Sequence, residues 1–391
     1  MIIIGLPLWG HRYIERWSDY SGQTLLAEGN LPALARAHDV EIQIVTTADF
    51  ASRLEELRIV EAMRRICRVT IREMDVPTIA YDGMTKANVM TLNDALKRQS
   101  VHILTLGDQI WANGSLYAIS ERLKDSAAVL SWGGMLDRGQ VAPFLEEIRR
   151  DQVIEIPPKR LAELTIRFPH PVQRNWIVEP GHVPRTPSSM MWLDPLGSGA
   201  VVRSHILIVH AIDFAQIDKN RALCYLNKLS RGRVNDDVAI YPQLFDIENV
   251  AIIQRSDEVI TVSIDDDDRS SLNSPRLEVD LDKTSTAVSD SLRIHQPWEP
   301  QLGRYFFTIP YNIRCTDDEL WAQQMIDRTF DLAVNISILQ LRRSFLGSIW
   351  VRLPQRQKSR IVQLFNCTGL LQAVSKRIIG YELRRPRGKS L

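Results

Sequence analysis

Four runs of branched apolar residues, Ile2 to Leu8, Val40 to Thr46, Val101 to Leu106 and Ala127 to Trp132, have the length of strands and are too short for buried helices. Helical periodicity fills the gaps between them, at 31–39, 51–74, 84–99 and 116–124. A β-α-β-α-α-β-α-β order buries such strands only when helices cover the faces of a mainly parallel sheet, so the expected class is α/β. Gly5 and Gly10 are not followed by a third glycine opening a helix, which excludes a dinucleotide fingerprint.

In open α/β sheets ligands gather at the carboxyl edge of the strands. Asp108 follows Gly107 where the third run ends, and Asn113-Gly114-Ser115 then reads as a turn that opens a helix capped by Ser115. The competing reading of Asp108 is an exposed turn residue. Thr46, Thr47 and Asp49 fall at the end of the second run, and Lys86, Asn88 and Asn93 lie on the helix entering the third, as ligand contacts or as solvated positions.

Nine prolines between Gly133 and Ser198 predict shaped loops interrupted by one helix, Lys159 to Phe168, which ends at Phe168-Pro-His170-Pro171. Val201 to Ala211 reads as one strand carrying His205 and His210, each expected as a hydrogen-bonded core residue or, less simply, as a ligand. Asn235-Asp236-Asp237 precedes an apolar segment, and Val250 to Ile253 followed by Ser256-Asp257-Glu258 repeats the strand-then-carboxylate pattern before a strand at Val259 to Val262. The four aspartates Asp265 to Asp268 read as a solvated acidic loop, since adjacent carboxylates rarely converge on one ion.

The expected organisation is a sheet domain over 1–262, an acidic Ser/Asp/Pro-rich connector over 263–300 and a helical basic module over 301–391, with a well-signalled helix at Asp317 to Leu341. Overall charge is only +1, yet residues 341–391 hold twelve Arg or Lys against the single Glu382. Interleaved with Phe345, Trp350, Leu364 and Phe365, they suit an anionic membrane surface or a basic cap on the acidic body of the same chain. No nucleic-acid partner is expected, because no binding motif accompanies the charge. The cysteines at 67, 224, 315 and 367 have no paired spacing. The first residues lack a signal-peptide pattern, and no run is long enough to span a bilayer, so the expected location is cytoplasmic, with peripheral contact at the inner membrane.

Taken as a set, the strand at Ile2 to Leu8, the second at Val40 to Thr46, the Lys- and Asn-bearing helix and the strand ending at Asp108 resemble the GT-A fold of nucleotide-sugar glycosyltransferases over 1–262. Asn30-Leu-Pro-Ala33, Asn113-Gly-Ser-Leu116 and the pairing of His170-Pro171 with His205 look more narrowly like bacterial proteins associated with envelope polysaccharides. The resemblance implies transfer of a sugar from a nucleoside diphosphate donor to a saccharide or lipid-linked acceptor. Thr46 and Asp49 would contact the nucleoside, Lys86 the diphosphate, Asp108 a Mn or Mg ion or the ribose, and Asn113 the donor, with His205 or Asp236 as a second metal ligand. Asp236, Asp257 and His170 are candidate bases for an inverting reaction, whereas a retaining one would need none of them in that role. The family motif is Asp-x-Asp, and this chain has Asp108-Gln109-Ile110, which leaves open a diphosphate neutralised by Arg or Lys alone. The missing aspartate favours the rival reading, a non-catalytic scaffold or binding protein of degenerate transferase fold in an envelope-assembly complex, and the polar residues still placed at strand ends stand against it.

Overall fold

The computed structural model describes residues 1–75, 80–174, 176–177, 189–194, 199–204, 207–230, 244–245, 247–266 and 309–315. The chain divides into a unit Met1–Phe330 and a unit Asp331–Leu391, and every described residue belongs to the first. The connector beyond Asp266, the Asp317 helix and the basic stretch 341–391 therefore lie outside the described residues. Among the described residues no helix is long and apolar enough to cross a membrane.

The strands are β1 (Ile2–Pro7), β2 (Val40–Thr47), β3 (Arg68–Met74), β4 (Val101–Leu104), β5 (Gln109–Trp111), β6 (Ala128–Ser131), β7 (Gly134–Asp137), β8 (Ser189–Leu193), β9 (Gly199–Ser204), β10 (Ile208–Asp213), β11 (Val250–Ile252), β12 (Thr261–Asp265) and β13 (Ile309–Arg314). Seven of them form the central sheet in the order β11-β6-β10-β4-β1-β2-β3. β4, β1, β2 and β3 run parallel, β11 is parallel to β6, and β10 is antiparallel to both of its neighbours. The expected mostly parallel α/β sheet with flanking helices is thus present. From β1 the chain builds outward to β2 and β3 on one side and to β4 on the other, so β1 and β4 flank a topological switch point. Two smaller sheets, β5-β12-β7 and β13-β9-β8, complete the described structure.

β1 is buried along its whole length, and Ile2, Ile3, Ile4 and Leu6 each contribute roughly 1.5–3 kcal/mol by leaving water. Gly5 is needed among them, because a Cβ there would stand 2.6 Å from His102 Nε2 and 2.7 Å from Thr91 Oγ1. β2 alternates apolar with polar residues, as a half-exposed strand would, yet both of its faces are buried. The polar face is answered by β3 and by the helix Ala80–Arg98. Arg98 Nη1 donates to Glu41 at 2.6 Å, Thr70 Oγ1 donates to the same carboxylate at 3.2 Å, and Arg72 Nη1 donates to Asp94 at 2.6 Å. Burial alone would raise the Glu41 carboxyl, but hydrogen bonds from Arg98, Gln43 and Thr70 outweigh it and hold it below its ordinary value.

The long helix expected over 51–74 is instead two helices, Ala48–Glu55 and Arg58–Arg64, followed by β3. Val69, Thr70 and Ile71 fit either periodicity, and their β-branching decides for an edge strand paired with β2. The proline-rich region contains a second unexpected unit, β7 and the helix Arg138–Ile148, which starts at the Asp137 cap and carries Pro143 inside it. The single strand expected over 201–211 is two strands in different sheets, β9 and β10. Ile309–Arg314, placed by sequence in the basic module, pairs with β9 as β13.

Candidate functional site

β1 and β4 are adjacent and parallel, with Gly5 opposite Leu104, so their carboxyl ends open side by side. Thr105 closes that end by donating both its N–H and its hydroxyl to the Gly5 carbonyl, each at 3.0 Å. The chain then turns through Asp108 into β5, which pairs antiparallel with β12, and the Ile264 N–H donates to the Asp108 carbonyl at 2.7 Å. β12 in turn runs parallel to β7 with Asp265 opposite Asp137. Three strands of one small sheet therefore bring Asp108, Asp137 and Asp265 to one edge beside the switch point.

Arginines meet them from the chain that follows β1. Gly10, at φ +81°, takes a backbone conformation that favours glycine and opens the helix His11–Arg16. Arg12 and Arg16, four residues apart, share one face of that helix. Arg16, only 2% exposed, pairs through Nη1 with Asp265 Oδ1 at 3.0 Å and through Nη2 with Asp266 Oδ2 at 3.0 Å. Arg12 reaches the same Asp266 oxygen through Nε at 3.1 Å and Nη2 at 2.7 Å, and Arg138 Nε donates to the other oxygen. Burial tends to raise the Asp266 carboxyl, but the Arg138, Arg12 and Arg16 guanidiniums outweigh it and keep its pKa below the ordinary carboxylate value. A π-helical turn, Trp17–Ser21, directly follows Arg16, a feature common beside functional sites. Asp265 and Asp266 are therefore not the start of a solvated acidic loop, and Asp267 and Asp268 lie outside the described residues.

His170 also stands at this edge. Its Nδ1 accepts the Val172 N–H at 3.2 Å, so Nε2 carries the proton and donates to the Asp266 carbonyl at 3.1 Å. Both ring nitrogens are thus engaged in positioning the segment. Thr46 and Asp49 sit at the carboxyl end of β2, one strand from β1. The Thr46 hydroxyl is fully buried with no hydrogen-bond partner, and Asp49 is exposed in the first turn of the helix Ala48–Glu55. Lys86 is exposed on the helix Ala80–Arg98, whose Ala87 packs on Val45 and Met74 with Trp9 against them, so it belongs to the same edge. Aromatic residues line the rim: Trp9 and Phe50 half-buried, and Tyr13 exposed with the Arg16 guanidinium 5.5 Å from its ring centre.

Two expected site residues are occupied elsewhere. Asn113 Oδ1 accepts the Gly29 N–H at 2.7 Å and its Nδ2 donates to Glu155 at 2.7 Å, while Asn30 Oδ1 accepts the Leu116 N–H at 3.0 Å. The two phrases that carried the narrower resemblance are one clasp between chain segments, and this commits the Asn113 amide to structure. Asp257 lies before the start of β12, whereas Asp265 ends it, which separates Asp257 from the edge by the roughly 13 Å length of the strand. It is paired with Arg255 at 2.5 Å, and that hydrogen bond lowers its pKa and its strength as a base. His205 and Asp236 lie outside the described residues. His210 is a core residue, hydrogen-bonded to Ser131 Oγ at 2.7 Å.

Residues fit for a divalent ion are few here. Among the described residues no group of three or more His, Cys, Asp or Glu side chains is placed to hold one. Asp265 is paired with Arg16, Asp137 accepts from Gln140 at the cap of its helix, and the motif's second position is Ile110, fully buried within β5. The residues that sequence reasoning passed over are Arg12, Arg16, Arg138, Asp137, Asp265 and Asp266. The available signal was the i, i+4 arginine pair just beyond the first strand.

No family model matches this chain, and no curated protein matches it. Among solved structures, the S. aureus TarS 1–349 complex with UDP is 10% identical with TM-score 0.34, covering 83% of this chain and 78% of that one. The S. aureus TarS 1–349 structure without a named ligand is 14% identical with TM-score 0.26 over 34% of this chain and 36% of that one. Mouse xyloside xylosyltransferase 1 is 10% identical with TM-score 0.23, covering 37% of this chain and 57% of that one. The match to the TarS 1–349 structure without a named ligand thus spans only about a third of that protein's length. Likeness at this level bears on neither residues nor activity.

Proposed function

We propose that this chain is a glycosyltransferase that binds a nucleoside diphosphate sugar at the carboxyl edge of β1, β2 and β4. The observation that carries the reading is the meeting of Arg12, Arg16 and Arg138 on Asp265 and Asp266 at the end of β12, the strand whose Ile264 N–H holds the Asp108 carbonyl, beside the sheet's switch point. The nucleoside would lie toward Trp9, Thr46 and Asp49, the diphosphate toward Lys86 and the arginines, and the donor ribose or sugar toward Asp108. In the reaction an acceptor hydroxyl oxygen bonds to the anomeric carbon while the bond from that carbon to the diphosphate oxygen breaks. The electron pair leaves with the diphosphate, where guanidinium groups stabilise it. Of the candidate bases, His170 is the one described at the edge, and accepting the proton would require it to give up its contact with Val172.

The acceptor we infer is a saccharide or lipid-linked saccharide of the cell envelope, met at the cytoplasmic face of a membrane to which the basic stretch 341–391 is attracted. A non-catalytic binding protein is the second reading, and the burial of Ile110 where the family motif has a carboxylate favours it. Thermal shift against UDP, GDP, CDP and ADP, each with and without manganese, separates the two. Stabilisation by one nucleotide that is lost in Asp108→Asn, together with hydrolysis of the matching nucleotide sugar, supports the transferase. Stabilisation with no turnover supports the binding protein, and no stabilisation by any nucleotide overturns the nucleotide site.

A further inference from the structure

We propose that the Asp266 carboxylate is an internal occupant of a diphosphate site built from Arg12, Arg16 and Arg138, and that a nucleotide's diphosphate enters by displacing it. The proposal rests on the reading of this edge as a nucleotide site, and adds how that site is held in reserve.

Arginine guanidinium groups offer parallel donors to a carboxylate and to a phosphate alike. Here three guanidiniums from two elements converge on one short side chain, Arg12 and Arg16 on its Oδ2 and Arg138 on its Oδ1. They are not fully satisfied by it, because Arg16 Nε is buried without a hydrogen-bond partner. Three guanidiniums facing Asp265 and Asp266 leave one net positive charge, and two once Asp266 has swung away, which suits an anion carrying several negative charges.

The two aspartates differ in the way the proposal requires. The Asp265 side chain is 6% exposed and holds the buried Arg16, whereas that of Asp266 is 24% exposed. The Asp266 main chain is held independently: its N–H donates to Asp265 Oδ1 at 2.9 Å and its carbonyl accepts from His170 Nε2 at 3.1 Å. Vacating the site therefore needs only a rotamer change of Asp266, with no movement of backbone and no loss of the Arg16–Asp265 pair. A site occupied in this way binds its ligand more weakly by the fraction of molecules in which the carboxylate is withdrawn. Charge on the leaving diphosphate would be met by arginine.

The test is calorimetric titration of the full chain, in excess chelator, with inorganic pyrophosphate and with UDP, GDP, CDP and ADP. Asp266→Asn should bind pyrophosphate about tenfold or more tightly than the native chain, Asp266→Glu should show no such gain, and adding Arg138→Gln to Asp266→Asn should cancel it. Asp266→Ser supplies the same comparison if the amide variant does not fold. Unchanged or weaker binding in the neutral variants, or a gain seen only when manganese replaces the chelator, overturns the proposal. A gain for pyrophosphate with no nucleotide binding more tightly than pyrophosphate supports the occupant and overturns the nucleotide reading instead.

Discussion

Two buried histidines make the acid stability of this protein a direct test of its core. His102 and His210 are fully buried, and burial lowers each from 6.5 to about 3. Thr91 and Ser131 spend their hydroxyl protons on the carbonyls of Asn88 and Trp132, at 3.1 Å each, so each histidine donates from Nε2 to the hydroxyl oxygen. Both Nδ1 atoms are left without a partner, and protonating either would bury a charge on an N–H with no acceptor. Unfolded histidine takes up its proton near 6.5 and these folded ones only near 3, so the unfolded state binds more protons as the solution is acidified. Their contribution is complete above about 6.5, falls with pH and is exhausted near 3. Between about pH 7 and about pH 5 each histidine removes about 2 kcal/mol and the two together about 4 kcal/mol, a large part of a typical domain's stability. Depressed carboxylates such as Glu41 and Asp266 lose their contribution only below their ordinary values of 4.5 and 3.8, so this window isolates the histidines. Urea unfolding followed by tryptophan fluorescence reads it, since the Trp111 ring lies 5.7 Å from that of His210. His102→Gln with His210→Gln lowers stability at neutral pH but should abolish most of the further loss on acidification. A double variant that still loses as much as the native chain over the same window would refute the reasoning.

Arg16→Met takes from the buried Asp265 carboxylate its nearer, buried cation and leaves the more exposed Arg12 at 3.5 Å, so it should cost about 3 kcal/mol, the low end for breaking a buried pair, by denaturant midpoint; a loss under about 1 kcal/mol would show that the pair is not buried as described. Gly5→Ala places a methyl 2.6 Å from His102 Nε2 at the centre of the sheet and should cost about 1–3 kcal/mol, again by urea midpoint, with an unchanged midpoint contradicting the packing of β1 on that histidine.

The runs that became β1, β2, β4 and β6 were legible because strands buried on both faces need continuous apolar residues, and nothing distant had to be known to see them. β3 was not, because an edge strand with half-exposed residues carries no such run, and its Arg68 and Arg72 answer Glu41 and Asp94 on other elements. The helix Arg138–Ile148 was hidden by Pro143, which a local rule treats as a breaker and which the Asp137 cap and the burial of Val141 and Leu145 override. The clasp of Asn30 and Asn113 shows the same limit at single residues. A turn was evident at Asn113, but what its amide binds depends on Gly29, 84 residues earlier.

The carboxylates of the edge follow from pairing rather than from motif. β5 begins at Gln109, immediately after Asp108, and Ile110 is paired with Val262 in the middle of the small sheet. Position 110 therefore stands inside a packed strand, where a second charged residue would be buried without a partner, and an apolar side chain is what the pairing demands. The strands that do end at the edge are β7 and β12, and each ends in an aspartate, Asp137 and Asp265, in register with the other. No spacing rule joins Asp108 to Asp265, or Arg16 to either, because the pairing of β5 with β12 brings together residues some 150 positions apart, as Gln109 and Thr261 are. What the sequence does contain is the cost of leaving Arg16 unanswered. An arginine buried on the first helix after a wholly buried strand, four residues from another, must find acidic partners somewhere in the chain, and the run beginning at Asp265 is the densest supply of them.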